Sequence, residues 1–275
     1  MVRYTFIMIS GRTSSSLHSM ARVGFVAKGL LYLLVGVLAY MAAFEIGGQS
    51  NKEGGKAGAF KMILELPAGR VLLGAVAIGL LCYAAWRLVQ VFSSEGNEGD
   101  NKKKIGKRMA YFLSALAYLS FAFLALKTVT GSAKEEGGAQ QDLVARLLNL
   151  SYGQVLLIIA ALTIAAVGIY QFWFGYSGKF KKHVSTGAAG KATSSVLEKA
   201  GKLGYAARGI VWLIISWLLI SATIHHNSRE AGDTSKAFQF LEDASYGSYL
   251  LGAVGFGLAC YGVFNFLRAR FENFN

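Results

Sequence analysis

A chain of 275 residues that is 54% apolar and carries a formal charge of +13 has the composition of a membrane protein rather than of a water-soluble domain. Two cysteines are too few for a disulfide scaffold, and a single proline leaves long stretches free to run as helix. The basic residues flank apolar runs, which argues against the nucleic-acid surface that so high a charge first suggests.

Residues 1–21 contain Ser14, Ser15 and Ser16 and an apolar run too short for a signal-peptide core, and read as a loose cytoplasmic tail. Six nearly uncharged stretches follow, at residues 23–44, 69–92, 109–126, 154–176, 203–224 and 246–267. Each is long enough to cross about 30 Å of hydrocarbon.

These stretches form three copies of one unit, at residues 22–92, 107–176 and 200–270. The first line of the unit reads Arg22, Gly24, Phe25, Ala27, Lys28, Gly29 and Tyr32 in copy one, and Lys202, Gly204, Tyr205, Ala207, Arg208, Gly209 and Trp212 in copy three. Copy two is worn, with Arg108, Ala110, Tyr111, Ser114, Ala115 and Tyr118. In the second line Gly69, Gly153 and Gly247 open the apolar run, and Trp86, Tyr170 and Phe264 stand near its end. Between the lines, Phe60 and Ile63, Val144 and Leu147, and Phe238 and Leu241 have the i, i+3 spacing of a short amphipathic helix lying on the outer side.

Taken together, the expected fold is an all-α integral membrane protein. Its six transmembrane helices form three tandem two-helix repeats of the same polarity with short amphipathic helices in the outer loops, most simply in a pseudo-three-fold bundle, although a linear row of hairpins satisfies the same sequence. Ala75 with Gly79 and Ala253 with Gly257 are small pairs four apart, suited to a close helix crossing, where copy two has Ile159 and Thr163.

Orientation follows from charge. The side holding the termini carries 19 Lys and Arg against five acids, with clusters at Lys102, Lys103, Lys104 and Lys107 and at Lys179, Lys181 and Lys182. The other side holds nine basic and ten acidic residues. By the positive-inside rule both termini are cytoplasmic.

The triplicate pattern of a basic residue, Gly-aromatic, Ala-Lys/Arg-Gly and an aromatic four residues on resembles the bacterial integral-membrane family called domain of unknown function 1206. The resemblance runs from Arg22 to about Arg268 and departs from the pattern at Ala110, Ser114 and Ala115. It implies a tandem-repeat protein of a bacterial inner membrane and carries no catalytic residues with it.

The sharpest candidate for a site is the cationic turn of each first span. Lys28 stands three residues after Phe25 and four before Tyr32, and Arg208 likewise between Tyr205 and Trp212. On a helix these share a face, where cation and ring attract by about 0.5–2 kcal/mol. With Arg22 and Lys202 they could hold an anionic lipid headgroup or another small anion, or they could serve as interfacial anchors, with Lys28 snorkelling outward.

Absent signals narrow the function. No acid lies near the middle of a span, which disfavours a proton- or ion-coupled transporter. Cys82 and Cys260 have no Cys-x-x-Cys or histidine partner and read as packing residues, and the adjacent His225 and His226 point apart on a helix and read as a polar cap. No catalytic constellation, metal site or cofactor signature is found, so an enzyme is not expected.

Two readings remain. One is a structural or accessory subunit that packs against a larger membrane complex or organises lipid. The other binds or passes a lipid or small hydrophobic or anionic molecule between repeats, with an uncoupled channel as a variant. The expected partners are membrane lipids through anionic headgroups on the cytoplasmic side, and a membrane-protein partner under the first reading; nucleic acid is not among them.

Overall fold

The computed structural model describes residues 2–46, 55–92, 101–131, 138–184 and 190–272. Nine helices are described: α1 (Val2–Ala43), α2 (Gly55–Glu65), α3 (Gly69–Phe92), α4 (Asn101–Val129), α5 (Gly138–Leu148), α6 (Gly153–Tyr176), α7 (Gly190–Ile224), α8 (Thr234–Glu242) and α9 (Gly247–Phe271). The extended pairing among the described residues is one isolated bridge between Val184 and Glu272. The side chains of Lys102, Lys103, Lys104, Lys107 and Lys182 lie outside what is described.

Six helices are long and apolar enough to span a membrane: the His18–Ala43 part of α1, α3, the Arg108–Val129 part of α4, α6, the Thr193–Ile224 part of α7, and α9. In hydrocarbon a helix satisfies its own backbone polar groups, so an apolar run of this length has few alternatives. α1 begins at Val2 and runs unbroken, so residues 2–20, expected as a loose tail, are helical instead. No proline interrupts them, and the apolar segment from Tyr4 to Ile9 extends the helix outward.

Each short amphipathic helix buries the face expected of it. Phe60, Ile63, Val144, Phe238 and Leu241 are all buried. α2 packs on α1, α3 and α4, α8 packs on α7 and α9, and the two meet each other, whereas α5 packs on α6 and on the turn Ser228–Glu230. Asp233 caps α8 by accepting from the backbone N–H of Ser235 at 3.0 Å. The glycines opening α3, α6 and α9 have a steric cause: a Cβ on Gly69, Gly153 or Gly247 would run into the carbonyl of Ile63, Leu147 or Glu242 at the end of the preceding helix.

The six spans do not pack as three hairpins side by side. The first span of one repeat packs most extensively on the second span of another: α1 on α9, α7 on α6, and α4 on α3. The same interface is built three times. Cβ atoms on Gly29 and Gly262 would meet each other's carbonyl oxygens at 3.0 and 2.7 Å, and those on Gly209 and Gly168 at 3.0 and 3.1 Å; Ala115 and Ala84, at the matching positions of the third interface, are fully buried.

Within repeats, α1 also packs on α3, and α7 on α9. α4 and α6 share no comparable interface among the described residues, so the second repeat does not pack on itself as the other two do. The spatial order is therefore α4, α3, α1, α9, α7, α6. This row is curved, because Lys28 of α1 reaches Tyr118 of α4 and Arg208 of α7 reaches Tyr32 of α1, each past an intervening helix. The architecture is a pseudo-three-fold ring with five of its six interfaces closed.

Side-chain size explains the open one. In repeats one and three the crossing needs Gly24 and Gly204, on which a Cβ would fall 2.6 Å from the Cβ of Tyr83 and of Tyr261. It also sets Gly79 against Ala27 and Gly257 against Ala207. The second repeat has Ala110, Leu113 and Thr163 at these places, too bulky for the same approach. Ala75 and Ala253, the other members of the expected small pairs, face outward. Of each expected pair, therefore, only Gly79 and Gly257 enter the close crossing, alongside Gly24 and Gly204 on the partner spans.

Candidate functional site

At the basic end of the ring, five helices converge on a buried cluster of cations and tyrosines. Lys28 on α1 is 4% exposed. Its ammonium donates to the Tyr83 hydroxyl at 3.3 Å and lies 4.9 Å from the centre of that ring, 5.2 Å from Tyr118 and 5.2 Å from Tyr261. The expected snorkelling does not occur, because the face that carries Lys28 is the face α1 turns toward its neighbours.

Arg87 on α3 donates to the same Tyr83 oxygen, from Nε at 3.0 Å and Nη2 at 2.6 Å, and lies 5.3 Å from the Tyr111 ring of α4. Across the ring the arrangement repeats. Arg208 on α7 donates from Nη1 to the Tyr261 hydroxyl, with its guanidinium 4.5 Å from that ring and 5.1 Å from Tyr32. Edge-to-face pairs knit the phenols together: Tyr83 with Tyr118 at 4.6 Å, Tyr32 with Tyr261 at 4.9 Å and Tyr205 with Tyr261 at 5.3 Å.

The electrostatics are one-sided. The carboxylate beside the cluster is Glu272, and it is taken by Arg268 through a bond of 2.6 Å from Nε. Arg268 in turn lies 4.4 Å from the Phe25 ring. Lys28, Arg87 and Arg208 thus have neutral partners, phenol oxygens and ring faces with the Gln90 amide oxygen added for Arg87 at 2.8 Å, and burying a cation on such terms costs several kcal/mol even after relaxation, by the usual order of magnitude. Two polar atoms in the cluster, the Tyr118 hydroxyl and Arg208 Nε, are buried without a hydrogen-bond partner. Donors so placed are suited to an oxyanion such as a phosphate or carboxylate, which accepts several charge-assisted hydrogen bonds at once.

Of the residues singled out in the sequence, the cluster gathers Lys28, Arg208 and Tyr32. Trp212, equivalent to Tyr32, is half-buried on α7. Arg22 and Lys202 stand on the surface, and Lys202 pairs with Glu198 at 2.9 Å, which Lys181 also meets at 2.5 Å. The rings facing Lys28 and Arg208 belong to other helices, not to their own turns as the i, i+3 and i, i+4 spacing suggested. Arg87, Tyr83, Tyr118, Tyr261 and Arg268 complete the cluster. A signal for two of them is present in the repeat itself: Tyr83 and Tyr261 share one position, and copy two, which lacks the cation at Ser114, also lacks the tyrosine at Val167.

Elsewhere the chemistry is sparse. Cys82 and Cys260 are free thiols, half-buried on α3 and α9. His225 and His226 turn to different partners, Glu230 at 2.9 Å and the Gln154 amide respectively. No group of three metal-ligating side chains occurs among the described residues.

The family described as Domain of Unknown Function (DUF1206) matches residues 23–94, 109–178 and 203–272, which are the three repeats seen in the ring. The chain belongs to this family. It is also 26% identical over 265 residues to an uncharacterized protein, YxxB, of Bacillus subtilis (strain 168), covering 96% of this chain and 94% of that one. No solved structure matches. Six apolar helices and three repeats make this member a multi-pass, all-α membrane protein.

Proposed function

We propose that the protein is a membrane-embedded binding protein for an anionic amphiphile, whose charged group is held by Lys28, Arg87 and Arg208 among the tyrosines. The observation that carries this reading is the convergence of buried Lys28 and half-buried Arg87 and Arg208 with Tyr83, Tyr118 and Tyr261 and with one carboxylate, itself committed to Arg268. The same charge bias supports an orientation with this end at the cytoplasmic face of a bacterial inner membrane, where anionic headgroups are abundant. The cluster has hydrogen-bond donors and ring faces but no nucleophile or acid–base pair set for turnover, which favours binding over catalysis.

A second reading, an accessory subunit against a larger complex, draws on α4 and α6, whose spans are the least buried of the six at 22% each. Native mass spectrometry of gently extracted protein separates the two. A stoichiometric anionic lipid, lost in a Lys28→Gln/Arg208→Gln variant of unchanged helix content, supports the binding reading; a stoichiometric protein partner, retained in that variant, overturns it in favour of the second.

A further inference from the structure

The missing interface lies beside the cationic cluster. All three repeats cross with the same polarity, so equivalent positions share one depth in the membrane, and exposure can be compared at equal height. Tyr83 and Tyr261 are 0% and 1% exposed, while Val167 at the same position of repeat two is 37% exposed. One turn further, Trp86 and Phe264 are 9% and 0% exposed against 57% for Tyr170. The gap between α4 and α6 is therefore open at the level where the other two repeats are sealed by a cation and a tyrosine.

Its walls are uncharged. Leu113 of α4 and Thr163 and Val167 of α6 are exposed, and Ser114 half-buried, at the positions that close the other two repeats. The cluster adjoins it through α4, whose Tyr118, one turn beyond Ser114, is buried against Tyr83 and beneath Lys28, with its hydroxyl unpartnered. An uncharged seam beside a cluster of cations matches, in polarity and in charge, a phospholipid with an anionic headgroup. Neither a free anion nor a neutral lipid fits both parts.

Resting on the binding reading above, we infer that the seam between α4 and α6 is a lateral portal, through which an anionic phospholipid enters from the bilayer. Its phosphate reaches Lys28, Arg208 and Tyr118, and an acyl chain lies along Leu113, Thr163 and Val167. The worn second repeat is the doorway, and its loss of small residues is what holds the ring open.

The test uses the full chain in phosphatidylcholine nanodiscs containing a trace of phosphatidylglycerol with a photoactivatable diazirine in its acyl chain, with labelled residues located by mass spectrometry. The expected result is several-fold enrichment of label on Leu113, Thr163 and Val167 over Ile78 and Phe256, which face outward from α3 and α9. Unlabelled phosphatidylglycerol should compete, inorganic phosphate should not, and Lys28→Gln/Arg208→Gln should abolish the enrichment while the charge-preserving Lys28→Arg retains it. Even labelling of all outward faces, with phosphatidylglycerol still retained by the cations, overturns the portal and leaves the binding reading standing. Competition by inorganic phosphate alone overturns the lipid in favour of a free anion. Retention of phosphatidylglycerol no better than phosphatidylcholine, or unchanged in the double variant, overturns both.

Discussion

Lys28 donates to the hydroxyl of Tyr83 across 55 residues of sequence, and that one bond ties the two spans of the first repeat together at the cluster. Tyr83 accepts from Arg87 as well, so a single phenol oxygen serves two cations. Tyr83→Phe keeps the ring and removes the shared acceptor; hydrogen bonds to charged groups are worth about 1.5–3 kcal/mol, and a loss of that order is expected in thermal unfolding. Val167→Phe, at the equivalent place in the second repeat, should change stability little, and an equal loss there would refute the assignment.

Lys28→Met should behave in the opposite sense. Replacing a buried charge by an apolar side chain of similar volume is often neutral or stabilising by about 1–4 kcal/mol. Protein stripped of lipid is expected to melt no lower than the parent, while retention of anionic lipid, read by native mass spectrometry, should fall. A variant that melts markedly lower would mean that Lys28 is structural.

Glycine positions supply an internal control. A Cβ on Gly24 would lie 2.7 Å from the Tyr83 Cα, whereas one on Gly74 would meet nothing within 4 Å. Gly24→Ala and Gly204→Ala are expected to destabilise by about 1–3 kcal/mol, the usual range for overpacking, and Gly74→Ala to be neutral or slightly stabilising. The ranking, measured by denaturation in one detergent, is the test.

The end of the bundle opposite the cluster carries a pH dependence. The Ser221 hydroxyl donates to Glu230 at 2.6 Å, with His225 and Asn227 adding further contacts, and together they hold the Glu230 carboxyl below its usual range. A carboxylate lowered in the folded state contributes stability above the ordinary Glu value, about 4.3, and that contribution is lost as the pH falls through this value and below. Parent protein should lose melting temperature as the pH falls below about 5. Glu230→Gln should flatten that slope; an unchanged slope assigns the acid sensitivity elsewhere.

Much of the fold is legible in the sequence because it depends on local pattern: span length, Gly-aromatic spacing and the i, i+3 pairs Phe60 with Ile63 and Phe238 with Leu241. Lys28 and Arg208 stand out for the same reason, as charges within apolar runs. What escapes is partnership between helices. Arg87 and Tyr83 look like ordinary border residues until α4 brings Tyr111 and Tyr118 beside them. The open seam is written at Ala110, Leu113 and Thr163, yet those residues read as wear rather than as shape until the Gly24 and Gly79 contacts show what a closed crossing requires.

The broadest interface in the ring joins α1 to α9, the first span of the chain to the last. During biosynthesis α1 leaves the ribosome well before α9, with the other four spans between them. α1 must wait in the membrane, with Lys28 unaccommodated by Tyr261, until α9 arrives, so assembly is governed by the longest separation in the sequence rather than by successive hairpins. Any chain that stops before Gly247 leaves its first helix without its principal neighbour.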